Sequence, residues 1–271
     1  MDNTIQSIER NMDSENRFPN IIGSSKAIRE IFVLMRQAIE TDADMLITGE
    51  TGTGKDLVAK EIHNQSSRRD NSLIAVSCGV VSEAILFSEL FGHRKGAFKD
   101  AIDDKTGIFE SAEGGTVILD NIDQMPTNIQ LILVNTLNEH KIQRMGEYTL
   151  RDINILVIAI SNRDILREVK IGSFREDLYD RLSKFHIHLP PLRERLDDIP
   201  LLSEHFYHQV CNQMPRISEG FGPGIMEMLQ QHDWPGNVRE LRNEIIQACL
   251  IARHGEHIQK YHFSSQINKG F

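Results

Sequence analysis

Residues Gly49-Glu50-Thr51-Gly52-Thr53-Gly54-Lys55-Asp56 set three glycines and a lysine at the spacing G-x-x-x-x-G-K. Glycines let backbone N–H groups turn toward one centre. A lysine at a helix start adds a full charge to the partial positive charge already there. The chemistry is anion binding, and nucleotide phosphates are the ligand this spacing suits. The Ser or Thr that commonly follows the lysine and supplies a hydroxyl to magnesium is replaced by Asp56. A second candidate is Asp120, which closes the apolar run Thr116-Val117-Ile118-Leu119. Carboxylates at the carboxyl ends of strands in open α/β sheets reach bound ligands, so Asp120 is placed to hold magnesium directly or through water. The alternative is a glycine-rich turn that binds nothing. It leaves the coincidence of strand, lysine and helix unexplained.

The elements that must position these groups follow from periodicity. The run Met45-Leu46-Ile47 leads into the glycine loop, and Leu57 to Ile62 follows as a helix. Before the loop, Ser24-Ser25 can cap a helix whose apolar face is Ile28, Ile31, Phe32, Met35 and Ile39. After it come a strand at 73–76, a helix opened by Ser82 and Glu83, a strand at 116–120 and a helix from Thr127. The run 153–160 is continuously apolar, as a strand covered on both faces must be, and it ends in Ser161-Asn162. Residues 92–106 and 140–152 read as charged loops, with Phe98 in the middle of the first and no apolar pattern around it. Strands alternating with helices imply an α/β fold with a mostly parallel central sheet flanked by helices. Beyond Pro190-Pro191 only helical periodicity remains, which implies a small all-helical subdomain, with Asn237 as the cap of its last helix. The expected boundaries are a polar leader over 1–19, the α/β unit over 20–190, the helical subdomain over 191–256 and a tail over 257–271.

The bulk composition narrows the class. The chain has 271 residues, 40% of them hydrophobic and 25% charged, which is enough for one large globular unit with a smaller one attached. A net charge of −9 gives no basic field for nucleic acid. Cys78, Cys211 and Cys249 stand singly, without metal or disulfide spacing, and suit a reducing compartment. No run approaches the length of a membrane span and the N-terminus lacks a signal-peptide core, so the expected location is cytoplasmic.

Five stretches together resemble the AAA+ ATPase domain of bacterial enhancer-binding proteins, the activators of sigma-54 RNA polymerase. They are Gly49 to Asp56; Ser88 to His93 followed by Gly96-Ala97-Phe98; Phe174 to Leu182; Leu189 to Arg195; and Trp234 to Leu241. The resemblance covers about residues 20–255 and implies an AAA+ P-loop NTPase with a helical lid. An acidic residue after the lysine is usual in that family, so Asp56 fits it. The resemblance implies ATP and magnesium as ligands, with Gly49, Glu50, Thr51, Gly52, Thr53, Gly54, Lys55 and Asp56 as the phosphate loop. Lys55 would meet the β- and γ-phosphates and Asp120 would position magnesium. Asn162 is similar to sensor I and Arg239 to sensor II. Arg175 and Arg181 resemble arginine fingers that reach a neighbouring subunit's site, which implies a ring of this chain or of a related AAA+ protein. The Phe98 loop resembles the contact with the sigma factor of RNA polymerase.

Three departures bear on function. The Asp-Glu with which the family ends its Walker B strand reads Asp120-Asn121 here, so the glutamate that polarises the attacking water is an amide. Loss of a general base costs about 10²–10⁴ in rate. Asp123, two residues on, is the alternative carboxylate. Ser77 stands where the family carries the asparagine that restrains this glutamate. The contact loop G-A-F-T-G-A reads Gly96-Ala97-Phe98-Lys99-Asp100-Ala101, which adds two charges and removes a glycine. A receiver domain and a helix-turn-helix are expected to be missing from this chain, so no DNA-binding domain is expected in it. The leading expectation is therefore a degenerate AAA+ regulator that binds ATP, hydrolyses it slowly or not at all, has lost or altered its engagement with sigma-54 through the Lys99-Asp100 change, and acts through protein contacts. One alternative is an active ATPase that remodels sigma-54 polymerase. Another is a receptor for a nucleotide such as cyclic diguanylate, although Arg17-Phe18-Pro19-Asn20 and Lys60-Glu61 do not reproduce the arginine pattern it would need.

Overall fold

The computed structural model describes residues 18–79, 81–99, 101–213 and 218–268. Most of the expected leader (1–17) and Asp100 of the contact loop lie outside them.

The centre is a five-stranded sheet of β1 (Met45–Gly49), β2 (Leu73–Ser77), β5 (Thr116–Asp120), β8 (Leu156–Ser161) and β9 (His186–Leu189), in the order β2-β5-β8-β1-β9. Every pairing is parallel, as in Ile47 against Ile160 and Leu119 against Ala159. Alternation along the strands sends side chains to two separate cores. Leu46, Val117, Leu119, Val157 and Ala159 join one, with Leu86, Phe109 and Leu133. Met45, Ile47, Ile118, Ile158 and Ile160 join the other, with residues of α1 (Lys26–Thr41) and α2 (Lys55–Gln65). Double burial explains why these strands read as unbroken apolar runs. Ser25 caps α1, its hydroxyl accepting from Ile28 N.

The first core is covered by α3 (Glu83–Phe91), the short α4 (Ile108–Ser111), α5 (Thr127–Glu139), α6 (Ile165–Lys170) and α7 (Glu176–Leu182). Two excursions leave this layer. The stretch expected as one loop at 92–106 contains an antiparallel pair, β3 (Gly92–His93) with β4 (Lys105–Thr106). The stretch 140–152 is likewise a hairpin, β6 (Lys141–Gln143) with β7 (Leu150–Asp152). Both are too short and too polar for periodicity to register. Strand β9 also went unexpected: only Ile187 and Leu189 of its four residues are buried, because it forms the sheet edge.

A third core holds the lid: α8 (Asp198–Gln213), α9 (Ile225–Gln230) and α10 (Asn237–Ile251) around the fully buried Trp234. Residues expected as a tail belong to it. Ile258, Phe263 and Ile267, the last in α11 (Ser265–Asn268), are buried in this cluster. At the other end, Phe18 is buried and its ring lies 5.4 Å from that of Phe32, so it is part of the α/β core and not of a leader.

Candidate functional site

The glycine loop leaves β1 at its carboxyl end and enters α2 at Lys55. Gly54, which precedes the helix, has φ of 108°, a conformation that a side chain rarely permits. Lys55 is 5% exposed, and its ammonium donates to the carbonyls of Gly49 and Glu50, both at 2.8 Å. Burial, above all, pushes its pKa down. Thr53 is buried and its hydroxyl donates to Glu50 O.

Opposite the lysine, four polar residues from three strand ends meet. Asp120 ends β5. Its carboxylate accepts from Asn121 N and from the Asn121 side-chain amide, both at 2.9 Å. The Asn121 carbonyl oxygen accepts from Asn162 Nδ2 at 2.7 Å, just past β8. The Asn121 amide nitrogen also lies 3.5 Å from Ser77 Oγ, at the end of β2. Asn121 is therefore tied on both sides of its amide. Burial and then the charge of Asp56 raise the Asp120 pKa, so the two carboxylates are near enough to repel one another. Such a pair has oxygen lone pairs to offer a divalent cation and gains from its charge. No group of three or more His, Cys, Asp or Glu residues suited to a metal occurs among the described residues. Two carboxylates suit magnesium shared with phosphate and water, the usual manner for that ion.

Asp123 does not join this group as a solvent-facing carboxylate. Its side chain is 1% exposed, its Oδ1 accepts from Ser161 Oγ at 2.8 Å, and its Oδ2 lies 3.5 Å from Arg163 Nε. It braces the turn that carries Asn162 from beneath.

The lid completes the site from the other side. Arg239 N donates to Gly52 O at 3.3 Å, which brings Arg239 beside the loop. The expectation that Asn237 caps α10 is corrected: Gly236 is the cap, and the Asn237 side chain reaches back to the phosphate loop. Arg193 makes a paired hydrogen bond to Glu50, at 2.9 and 2.5 Å, and this pairing holds the Glu50 carboxyl down at about 2. Arg195 donates to Thr53 O at 2.8 Å. The sequence singled out the stretch containing Arg193 and Arg195 without a role for either; the signal was their place just after Pro190-Pro191. Beside the loop lies a cavity of about 420 Å³, lined in part by Ile21, Ile22, Gly54, Leu202, Phe206 and Val238. An apolar slot next to a phosphate cradle has the shape and chemistry of a base pocket.

Two expected residues stand elsewhere. Arg175, at the head of α7, pairs with Asp177 of its own helix at 2.7 Å. Arg181 pairs with the buried Asp44 at 2.8 Å and donates to Leu137 O. Asp44 precedes β1, so Arg181 is held at the end of the sheet opposite the phosphate loop. Of the residues weighed for a cyclic dinucleotide, Arg17 lies outside the described residues, and Glu61 is buried and accepts from Asn20 Nδ2 at 2.7 Å.

The first excursion folds back on itself. The Phe98 ring meets that of His93 edge-on at 4.9 Å, which supplies the partner its sequence surroundings lacked. Arg94 joins the two excursions, pairing with Asp104 and with Glu147. Tyr148, at the tip of the hairpin, is 98% exposed.

Comparison with known proteins agrees with this arrangement. The family described as the Sigma-54 interaction domain matches residues 21–188, and the AAA+ ATPase lid domain matches residues 193–270. Among curated relatives, the Nif-specific regulatory protein of Herbaspirillum seropedicae is 39% identical over 97% of this chain and 48% of its own length. The DNA-binding transcriptional activator HyfR of Escherichia coli is 42% identical over 86% of this chain and 35% of its own. The transcriptional regulatory protein ZraR of Salmonella typhimurium is 40% identical over 89% of this chain and 54% of its own. The chain thus spans about half the length of the relatives it matches, or less. The crystal structure of NtrX from Brucella abortus in complex with ATP superposes with a TM-score of 0.83 at 29% identity, covering 99% of this chain and 61% of that one. The chain belongs to the AAA+ family of sigma-54-dependent transcriptional activators, carrying its sigma-54 interaction domain followed by its lid.

Proposed function

We propose that this chain is a transcription regulator that binds ATP with magnesium, hydrolyses it slowly or not at all, and works through protein contacts in the cytoplasm. Lys55 would meet the β- and γ-phosphates, the loop N–H groups would cradle them, and the base would enter the slot by Ile22 and Phe206. Asp120, with Asp56 beside it, would hold magnesium, whose charge neutralises the phosphates. A relative in this family, NtrX, was crystallised with ATP and with ADP, which supports the ligand.

The observation that carries the slow-hydrolysis reading is the Asn121 amide. Its oxygen accepts from Asn162 and its nitrogen donates to Asp120. An amide so held offers no basic atom to an attacking water. Asp123, the other carboxylate within reach in sequence, is buried and engaged with Ser161 and Arg163. The test is ATP turnover beside nucleotide binding on one sample. Binding in the micromolar range with turnover far below about 1 per second supports the reading, and turnover at that ordinary enzyme rate or faster overturns it.

Assembly into a ring, with itself or with an intact relative, is part of the same proposal. There Arg175 and Arg181 would be offered to a neighbouring site, and the Phe98 excursion would face the sigma factor. Sizing with and without a nonhydrolysable ATP analogue tests the assembly, and an unchanged size would remove the role given to the two arginines.

A further inference from the structure

The phosphate loop is held from outside as well as from within. Three consecutive carbonyls point to the lid side: Thr51 O accepts from Asn237 Nδ2 at 3.0 Å, Gly52 O from Arg239 N at 3.3 Å, and Thr53 O from Arg195 Nη2 at 2.8 Å. The Glu50 carboxylate joins them, taking Arg193 and, at 3.1 Å, Asn237 Nδ2. Peptide groups carry N–H and C=O on opposite sides, so carbonyls drawn outward turn the N–H groups of Gly52, Thr53 and Gly54 to the inner side of the loop, where Thr53 N donates to Glu50 O at 3.4 Å.

Asn237 is the hub. It is fully buried, its oxygen accepts from Leu192 N at 2.7 Å, and its nitrogen serves both Glu50 and Thr51. One amide thus ties the inter-domain linker, the loop backbone and the loop carboxylate together, with every hydrogen-bonding atom used. The backbone is bent to deliver it. Trp234 and Asn237 have φ of 49° and 54°, left-handed values that are costly for a buried tryptophan. The two backbones also touch: a Cβ on Gly52 would stand 2.2 Å from Gly236 O. Strain of this kind persists where the surroundings fix it, and it clusters at functional sites.

We propose that Asn237, acting through Glu50, is a positioning residue for phosphate binding: it locks the loop in its anion-binding form when the lid is docked, so that lid closure and phosphate capture are one event. The inference rests on the nucleotide-binding reading. The side chain that acts is the amide and not the neighbouring Arg239, whose guanidinium is a separate element.

The test uses the whole chain and calorimetry with a nonhydrolysable ATP analogue and magnesium, with thermal melts alongside. Asn237→Asp keeps the shape and the acceptor for Leu192 but loses both donors and sets a carboxylate against Glu50. About a tenfold loss of affinity is expected. Glu50→Gln combined with Asn237→Asp restores a donor–acceptor pair and the original charge, and it should recover at least about threefold of that loss. A merely structural role would not be rescued in this way. Arg193→Gln, at a side chain 40% exposed and so tolerated by the fold, should weaken binding severalfold and decides the matter if Asn237→Asp does not fold. If the unaltered chain binds no nucleotide, the functional reading and this inference fall together. If it binds and Asn237→Asp binds equally well, or the double variant is no better than Asn237→Asp, or, where Asn237→Asp does not fold, Arg193→Gln binds like the unaltered chain, this inference alone falls.

Discussion

Asn121 sits in the left-handed region, with φ of 54°, a conformation that asparagine tolerates better than other residues with side chains. Restoring a glutamate there is therefore an experiment with two opposed outcomes. Asn121→Glu supplies a carboxylate for water activation, and turnover measured by phosphate release should rise about tenfold or more. It also loses the bond to Asp120, sets a like charge beside it and strains the backbone by about 1–2 kcal/mol, so the melting temperature should fall. Unchanged turnover in a folded protein would mean that the missing base is not what limits hydrolysis. Lys55→Ala is the companion case. It should reduce nucleotide affinity about 100-fold or more, because the one ammonium in the cradle is gone. The cradle itself was legible in the sequence, since glycine spacing and a lysine carry their chemistry wherever the chain goes. The engagement of Asn121 with Asn162, 41 positions away, was not, because it depends on which strand ends become neighbours.

At the level of elements, helix α7 separates two arginines that look alike in the sequence. Arg175 pairs with Asp177 at the surface, whereas Arg181 covers the 7%-exposed side chain of Asp44. Removing one partner of a buried pair strands the other charge. Arg181→Ala should therefore cost about 3 kcal/mol of stability, read by denaturant unfolding, whatever it does to turnover. Arg175→Ala should leave stability within about 0.5 kcal/mol and change only nucleotide-driven assembly or turnover. A stable Arg181→Ala protein would show that the Asp44 pair is dispensable. The helices and doubly buried strands were readable because burial on two faces leaves continuous apolar runs. Strand β9 and the hairpins at 92–106 and 141–152 escaped because edge pairing is a backbone matter that short polar segments do not announce.

For the molecule as a whole, the junction between the α/β unit and the lid depends on the ionised state of Glu50. Its carboxyl is held at about 2, chiefly by Arg193 and then by Asn237, against an ordinary value of 4.5. A carboxyl lowered in the folded state contributes stability that is complete above 4.5 and is lost as the pH falls toward about 2. Arg193→Gln should flatten the acid limb of the stability curve in that window, leaving the variant less stable than the unaltered chain by a constant amount above 4.5 and equal to it near 2. An unaltered acid limb in that variant would show that the pairing does not couple the two units. The two-part architecture was visible as a change of periodicity near Pro190. The seam itself was not, because it is built from single side chains on both sides of the hinge.

Trp234 is the only tryptophan in the chain. Its indole N–H donates to Leu229 O at 2.7 Å, and the His232 ring stands edge-on at 4.7 Å. It sits in the same turn that presents Asn237 to the phosphate loop. Its fluorescence is therefore a native, single-site optical signal for the lid: emission from a dry indole should shift to the red if the turn loosens and lets water in. Rapid mixing with nucleotide would then time the closure of the lid without any added label.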